Sequence, residues 1–146
     1  MKRWGTRTHT AIYRRTRGRV LGRVGGQPVL LLQTVGRRTG LRRTTPVQYL
    51  ADGDTFVVVA SDAGAHCPPA WCLNLRAEPQ ARVEVGGRTF DVRAQETAGQ
   101  QRTELWRRLT AANRYLERTA RKAGRDLPLM ALIPSTPTPR AGADRW

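Results

Sequence analysis

The chain has 146 residues and a formal net charge of +15, with 26 Lys or Arg against 11 Asp or Glu. This length suits one domain with a substantial core. No apolar run approaches the roughly 20 residues needed to span a bilayer. Two cysteines are too few for a disulfide scaffold or a four-cysteine zinc site. We therefore expect a cytoplasmic protein with no metal site.

The basic charge is concentrated in the first third of the chain. Residues 1–51 contain twelve Lys or Arg and no acid, and the first acidic residue is Asp52. The remaining residues carry fourteen basic against eleven acidic side chains, a net charge of only +3. This asymmetry predicts an anionic partner, and nucleic acid, an anionic membrane surface and a polyanionic small molecule all fit it.

The N-terminal part begins with a basic tail at residues 1–8. Residues 9–24 are predicted to form a helix whose arginines favour contact with an anionic surface or ligand, although a solvated basic face is an equal alternative. Gly25, Gly26 and Pro28 end that helix. The apolar run from Val29 to Leu32 then predicts a strand that is buried on both faces.

The segment Thr34–Pro46, which reads T-V-G-R-R-T-G-L-R-R-T-T-P, connects this strand to the next one, Thr45–Leu50. We call this segment the arginine hairpin. Gly36 and Gly40 allow a sharp turn. Guanidinium groups and exposed backbone N–H groups bind phosphate and carboxylate, so the pattern predicts an anion site, with a solvated basic turn as the alternative. Neither a P-loop nor a dinucleotide-binding pattern is present. The four arginines are Arg37, Arg38, Arg42 and Arg43.

Turn signals and alternation predict the rest of the fold as mainly β with helices (α+β). Strands joined by hairpins favour an antiparallel sheet that closes into a small barrel. Helices are expected at the N-terminus, in the middle and as one long helix near the C-terminus. The domain is expected to span residues 9–134, with a disordered tail at 135–146. After the Asp52-Gly53 turn, the predicted elements are strand Thr55–Ala60, loop Ser61–Gly64, helix Ala70–Ala77, strands Arg82–Val85 and Arg88–Ala94, helix Gln100–Ala123 and strand Leu129–Ile133.

Several segments in this order resemble the deazaflavin-dependent nitroreductase and F420-dependent quinone reductase family, over about residues 10–134. The family fold is a split β-barrel of the flavin-reductase type, which agrees with the barrel predicted above. The resemblance rests on Y-R-R-T-R-G-R from Tyr13, L-L-L-Q-T-V-G-R-R-T-G from Leu30, T-P-V-Q-Y-L from Thr45, V-V-A-S from Val58, P-A-W-C-L-N-L-R-A-E-P from Pro69 and V-G-G-R-T-F from Val85.

The resemblance implies a binding site for coenzyme F420, a deazaflavin with a phosphodiester and several carboxylates, with FMN as the less favoured alternative. The hairpin residues would hold the phosphate and the start of the oligoglutamate tail, because guanidinium binds both groups. The other residues would surround the deazaflavin ring. The implied coenzyme-binding residues are Arg37, Arg38, Thr39, Arg43, Thr44, Thr45, Pro46, Val47, Gln48, Val59, Ala60, Ser61, Asp62, Ala70, Trp71, Cys72, Leu73 and Asn74.

The implied reaction is hydride transfer from the reduced deazaflavin to a quinone or a similar planar acceptor, with nitroaromatics as fortuitous acceptors. Ser61 and Tyr115 are the candidate catalytic residues. Relatives carry several tyrosines around the segment written here N-R-Y-L-E-R, where only Tyr115 remains. Many relatives also have lysine where this chain has Asp62. These departures leave the coenzyme site intact and alter the acceptor side.

Two alternatives to a reductase follow from the same residues. One is a protein that binds or sequesters F420 or a flavin without turnover. The other is a basic nucleic-acid-binding module, which the absence of exposed aromatic platforms in the sequence pattern argues against. The basic N-terminal segment also predicts peripheral contact with an anionic membrane, at the inner face where a quinone is found. The sequence specifies no oligomeric state.

Overall fold

A computed structural model of the chain describes residues 23–24 and 27–135, with side chains from Pro28 onward. Most of the predicted N-terminal helix lies outside the described residues, as do the tail at 1–8 and all of the predicted tail 135–146 except Ser135. Arg23 and Val24 form a short strand, not the end of a helix. The elements are β1 (Arg23–Val24), β2 (Gln27–Val35), β3 (Arg42–Asp52), β4 (Thr55–Val59), α1 (Ala70–Ala77), β5 (Gln80–Val85), β6 (Arg88–Glu96), α2 (Gly99–Ala112), α3 (Leu116–Ala123) and β7 (Leu129–Pro134).

The strands form one antiparallel sheet that closes on itself. Their order is β1-β2-β3-β4-β7-β6-β5, and β2 also pairs with β5. Within the described residues, six strands therefore form a closed barrel, with β1 added at β2 through the pairs Arg23↔Pro28 and Val24↔Gln27. The barrel and its antiparallel pairing confirm the fold predicted from the hairpin signals.

The arginine hairpin differs from its prediction because the two strands continue further than the apolar run indicated. β2 extends to Val35 and β3 begins at Arg42, with Val35 paired to Arg42. Arg42 and Arg43 are therefore strand residues, whereas the connecting loop is only Gly36–Leu41. Backbone pairing with β2 accounts for this extension, although arginine and threonine give no apolar signal there.

The interior of the barrel is filled by alternate residues of the strands and closed by helix α1. Leu30, Leu32 and Val58 are fully buried there. Trp71 and Leu75 of α1 belong to the same cluster, as their shared helical face predicted. This helix therefore lies across one opening of the barrel, where it can form part of a site.

Helices α2 and α3 cover the outer face of the sheet at β4 and β7. Val57 of β4 is buried in a second cluster with Leu105, Leu109 and Leu116 of the two helices. Val57 and Val58 thus point to opposite faces, and both are wholly buried. β4 is therefore covered on both sides, as its run of apolar residues Val57, Val58 and Val59 predicts.

The predicted continuous helix Gln100–Ala123 is wrong, because the chain leaves the helix at Asn113 and restarts at Leu116. The side-chain oxygen of Asn113 accepts a hydrogen bond from the backbone N–H of Tyr115 at 3.1 Å. Such a local bond competes with helical hydrogen bonding. The apolar spacing of Leu109 and Leu116 conceals the break, because both residues pack in the same cluster.

Arg108 also has a different partner from the one that its position in a helix predicted. Helical spacing predicts a pair with Glu104, but Glu104 binds Arg107 instead. Arg108 donates to the Asp52 carboxylate at 2.7 Å and to the carbonyl oxygen of Ala51 at 3.0 Å. This contact joins α2 to the turn between β3 and β4.

Candidate active site

The length mismatch between β3 and β4 leaves one edge of β3 without a strand partner in the described part of the chain. β3 has eleven residues, but its pairs with β4 begin only at Tyr49↔Val58. Thr45, Pro46 and Val47 pair with β2 on the other side. Proline lacks a backbone N–H, so it is tolerated at such an edge and hinders pairing with another strand. None of the described strands therefore covers this edge of β3 at Thr45, Pro46 and Val47.

A cavity of about 580 Å³ lies against this edge, within the range of small-molecule and cofactor sites. Its other walls are the end of β4, the turn that follows, the start of α1 and the junction of α2 with α3. The lining residues are Thr45, Pro46, Val47, Gln48, Tyr49, Val59, Ser61, Asp62, Ala63, Pro69, Ala70, Trp71, Leu109, Asn113, Leu116 and Thr119. Asp62 is the only charged residue among these.

The wall that follows β4 has an unusual backbone. Asp62, Ala63 and Gly64 have φ of 43°, 54° and 85°, which is left-handed in all three. We call Asp62–Gly64 the left-handed turn. Its hydrogen bonds run from the Gly64 N–H to Ser61 O at 2.9 Å and from the Ala65 N–H to Asp62 O at 3.1 Å. Left-handed backbone costs a non-glycine residue about 1–2 kcal/mol, so contacts elsewhere must hold this turn.

Ser61 lies at the junction of β4 and the left-handed turn and is half-buried at the cavity wall. Its carbonyl oxygen accepts the bond from Gly64. Its hydroxyl makes no side-chain cap bond to the turn, and no partner for it occurs within the described residues. The hydroxyl is therefore available to a ligand in the cavity.

The arginine hairpin extends from the same strand that lines the cavity. Thr45 lines the cavity and Arg42 begins the strand, so about 10 Å of extended chain separate them at about 3.4 Å per residue. All four arginines of the hairpin are solvent-exposed. One molecule with a planar part and an anionic tail could occupy the cavity and the hairpin together.

The loop of the arginine hairpin has a defined shape. The Gly36 N–H donates to Leu41 O at 2.7 Å, and the Gly40 N–H donates to Gly36 O at 2.8 Å. Gly40 has a φ of +70°, which glycine adopts without strain. At Gly36, a Cβ atom would lie 2.8 Å from Thr39 Oγ1, so a side chain there would displace Thr39. Both glycines thus support the sharp turn that the sequence predicted.

Asn74 connects the hairpin to α1 and faces away from the cavity. It is buried, its Oδ1 accepts the Arg37 backbone N–H at 3.1 Å, and its Nδ2 donates to Thr34 Oγ1 at 3.2 Å. The Arg37 N–H is therefore already bonded and cannot contribute to an anion site. Asn74 therefore fixes the base of the arginine hairpin to α1, on the side away from the cavity.

Four other predicted coenzyme-binding residues do not line the cavity, and one of them, Thr44, pairs with Gln33 of β2. Ala60 and Cys72 are fully buried in the barrel core, and Leu73 is half-buried on α1. Burial raises the pKa of the Cys72 thiol, so this thiol stays protonated and unreactive. Cys67 is exposed.

Tyr115 lies on the surface, outside the cavity. Its side chain is 56% exposed, the Arg114 guanidinium lies 5.1 Å from its ring centroid, and Arg114 donates to its hydroxyl at 3.2 Å. Asn113, two residues earlier, lines the cavity instead. The predicted catalytic residue Tyr115 therefore does not line the cavity, and the position of the acceptor stays a prediction.

The sequence reasoning did not name seven of the lining residues as site residues. Tyr49, Ala63 and Pro69 directly adjoin predicted site residues, so extending those segments by one residue would have found them. The other four come from α2 and α3, where the helix break decides which side chains face the cavity. Those four are Leu109, Asn113, Leu116 and Thr119.

Comparison with protein families and curated relatives identifies the family of this chain. The model of the F420H(2)-dependent quinone reductase family matches residues 4–134. The chain belongs to this family. An F420H(2)-dependent quinone reductase of Mycobacterium tuberculosis is 38% identical over 131 residues, which cover 86% of this chain and 87% of that protein. A second, putative F420H(2)-dependent quinone reductase of that species is 30% identical over 107 residues, covering 73% of this chain and 90% of the relative.

Solved structures support the same conclusion. A structure described as an F420-H2 dependent reductase matches with a TM-score of 0.66 and 26% identity, covering 72% of this chain and 93% of that one. Another, described as a domain-swapped dimer, matches with a TM-score of 0.68 and 25% identity, covering 90% and 98%. The chain is thus an F420-dependent oxidoreductase with coenzyme F420 as its cofactor, as the sequence predicted.

The described residues contain no helix that is long and apolar enough to cross a membrane. In the same part of the chain, no group of three or more His, Cys, Asp or Glu side chains could hold a metal ion.

Proposed function

We propose that this protein binds reduced F420 with its ring in the cavity and its tail at the arginine hairpin, and that it reduces a quinone there. The observation that carries this proposal is the continuity of β3. The same strand begins at the arginines and then forms the open edge of the cavity. The anionic and planar parts of one coenzyme can therefore be bound along a single element.

The residues present fit this coenzyme chemically. Arg37, Arg38 and Arg43 are exposed, and the described residues give their guanidinium groups no hydrogen bond or ion pair. Guanidinium binds phosphate and carboxylate oxygens in pairs of parallel hydrogen bonds. The lining residues are uncharged apart from Asp62, and Thr45, Pro46 and Val47 pair with no described strand on the cavity side, which suits a planar ring that bonds to backbone groups.

The chemistry on the acceptor side requires a proton as well as a hydride. When bound, the reduced deazaflavin supplies the hydride, and a quinone that gains one hydride and one proton becomes a hydroquinone. The Ser61 hydroxyl can donate a hydrogen bond to the acceptor's carbonyl oxygen, where negative charge develops. The apolar side chains of Leu109, Leu116 and Trp71 form part of the cavity wall and would limit the contact of a bound ring with water.

Turnover is tested by mixing purified protein, reduced F420 and menadione, and following the return of F420 absorbance. We expect catalysis that saturates with menadione, and a Ser61→Ala variant with kcat about 100-fold lower, the usual effect of losing one such donor. Ser135→Ala, outside the cavity, is the matched control. Tight F420 binding without turnover would favour the sequestering alternative. Nitroaromatics are tested as secondary acceptors in the same assay.

Peripheral contact with a membrane is a further part of this proposal. The twelve basic residues before Asp52 and the exposed Leu41 at the tip of the arginine hairpin support contact with an anionic lipid surface. A quinone acceptor would be dissolved in that membrane. Liposome flotation tests this: binding to vesicles with anionic lipid and none to neutral vesicles is expected, and equal flotation with both would contradict it.

A further inference from the structure

The left-handed turn is held by residues at and just beyond the end of helix α3, which do not line the cavity. Arg125 donates from Nε to Ala65 O at 3.0 Å, and from one terminal nitrogen to Ala60 O at 3.2 Å and Cys67 O at 3.0 Å. One guanidinium thus binds carbonyl oxygens before and after the turn. The fixed fork of donors in arginine allows this arrangement, whereas a lysine ammonium does not reproduce it.

Two neighbours of Arg125 act on the same segment. Lys122 Nζ donates to Ala63 O at 3.4 Å, and its stem lies where a Cβ atom at Gly64 would come within 3.0 Å of Lys122 Cδ. His66 Nδ1 lies 3.1 Å from the carbonyl oxygen of Ala123. The segment 60–67 is therefore bound to residues 122–125 at both ends and in its middle.

The segment 60–67 and helix α3, to whose C-terminal end it is bound, both contribute residues to the cavity wall. Ser61 and Asp62 come from the segment after β4, and Leu116 and Thr119 come from α3. A left-handed backbone at two non-glycine residues persists only where surrounding contacts determine it, and such backbone often occurs at functional sites. The contacts of Arg125 are suited to this purpose, because they meet the chain on each side of the turn.

We propose that Arg125 is a positioning residue for the active site: it holds the left-handed turn, and thereby Ser61, at the cavity wall. Arg125 does not touch the ligand in this account and acts only through the turn. The inference rests on the proposed function for its kinetic consequence. Its structural consequence, the order of the turn, is independent of any ligand.

The test compares Arg125→Met, Arg125→Ala and Arg125→Lys with Arg121→Met, which removes an exposed arginine of the same helix end. Hydrogen exchange without ligand should show faster exchange at the Gly64 and Ala65 amides in all three Arg125 variants, and no change in Arg121→Met. These amides form the two hydrogen bonds of the turn.

The kinetic arm measures kcat and KM separately. Displacement of a reacting group by about 1 Å costs about 100-fold in rate, so kcat should fall by about that factor in Arg125→Met, corrected for the folded fraction. Free guanidinium at low concentration should partly restore Arg125→Ala, and Arg125→Lys should remain impaired. A merely structural role would lower the melting temperature without a specific loss of kcat or rescue by guanidinium.

The two arms separate failure of this inference from failure of the proposed function. If the wild-type protein lacks quinone turnover, the proposed function fails, and the exchange arm still decides whether Arg125 holds the turn. Wild-type exchange at Gly64 and Ala65 in a folded Arg125→Met protein would overturn the inference. So would a kcat equal to that of Arg121→Met. If Arg125→Met does not fold, Arg125→Lys is judged by the same two criteria.

Discussion

The arginine hairpin and the left-handed turn are the two ends of the proposed coenzyme site, and they are built in opposite ways. The hairpin carries its chemistry in its own sequence, as exposed arginines on a loop that its own glycines shape. The turn has no distinctive local sequence and depends on Arg125. This residue is 65 residues along the chain from its partner Ala60 and 58 from its partner Cys67. The chemistry of the hairpin can therefore be read from its local sequence. The geometry of the turn is instead set by residues that are distant along the chain.

The largest expected effect tests the hairpin. In an Arg37→Ala, Arg43→Ala double variant, F420 affinity should fall by at least about 100-fold, because a hydrogen bond to a charged group is worth about 1.5–3 kcal/mol. The salt dependence of binding should also weaken. Fluorescence titration of F420 measures both quantities.

The control for that variant is Arg88→Ala, Arg93→Ala, which removes the same charge from β6, outside the cavity and the hairpin. The F420 affinity of this control variant should stay within about twofold of the wild-type value. An equal loss in both double variants would mean that only net charge matters, and the hairpin would lose its special role.

The second largest effect is expected at Asn74, whose contacts hold the base of the hairpin. Asn74→Ala removes the partners of the Arg37 N–H and of Thr34 Oγ1. Unfolding free energy should fall by about 1–3 kcal/mol, the usual cost of leaving buried polar groups unpaired. F420 affinity should fall less than in the double arginine variant. Urea unfolding and fluorescence titration measure these effects, with Thr34→Val as the variant that removes only one of the two bonds.

A substitution in the left-handed turn should stabilise the protein, whereas Asn74→Ala should destabilise it. Ala63→Gly should raise the unfolding free energy by about 1 kcal/mol, because glycine adopts a φ of 54° without the strain that alanine bears. Ala65→Gly is the control, because Ala65 has an ordinary φ of −62°. This variant should have a slightly lower unfolding free energy than wild type. Thermal unfolding of the two variants checks the sign, and destabilisation by Ala63→Gly would argue that the turn is not strained.

The smallest effect concerns the two thiols on either side of Pro68 and Pro69. Cys67 is exposed and Cys72 is buried with a raised pKa, so iodoacetamide should modify only Cys67 in the folded protein near neutral pH. Mass spectrometry of the peptides identifies the site. Labelling of Cys72 at the same rate would show that α1 opens readily from the barrel core.

The barrel was predictable because the cores of its six strands have local sequence signals, although β1 and the arginine-rich start of β3 have none. The apolar run at Leu30, the Gly86-Gly87 turn and the alternation around Val92 depend only on neighbouring residues. The break at Asn113 was not predictable from periodicity, because Leu109 and Leu116 pack together across it. For the same reason the outward position of Tyr115 could not be read from the sequence.

The candidate site divides in the same way. Pro46, Val47 and Ser61 were predicted from the family resemblance and do line the cavity. The resemblance also implied Cys72 and Asn74, whose side chains face the core and the hairpin base because α1 turns that face inward. The sequence gives no indication that Arg125 has a special role, because the chain contains many arginines. Only its hydrogen bonds to three carbonyl oxygens of the segment 60–67 distinguish it.

The most direct test of the account is a comparison of F420 with the same deazaflavin lacking the phosphate and glutamate tail. Both ligands are titrated into the wild-type protein and into the Arg37→Ala, Arg43→Ala variant. We predict that wild type binds F420 much more tightly than the tail-less ring, and that the variant binds the two ligands almost equally. An undiminished preference for F420 in the variant would show that the tail binds elsewhere and would contradict the account.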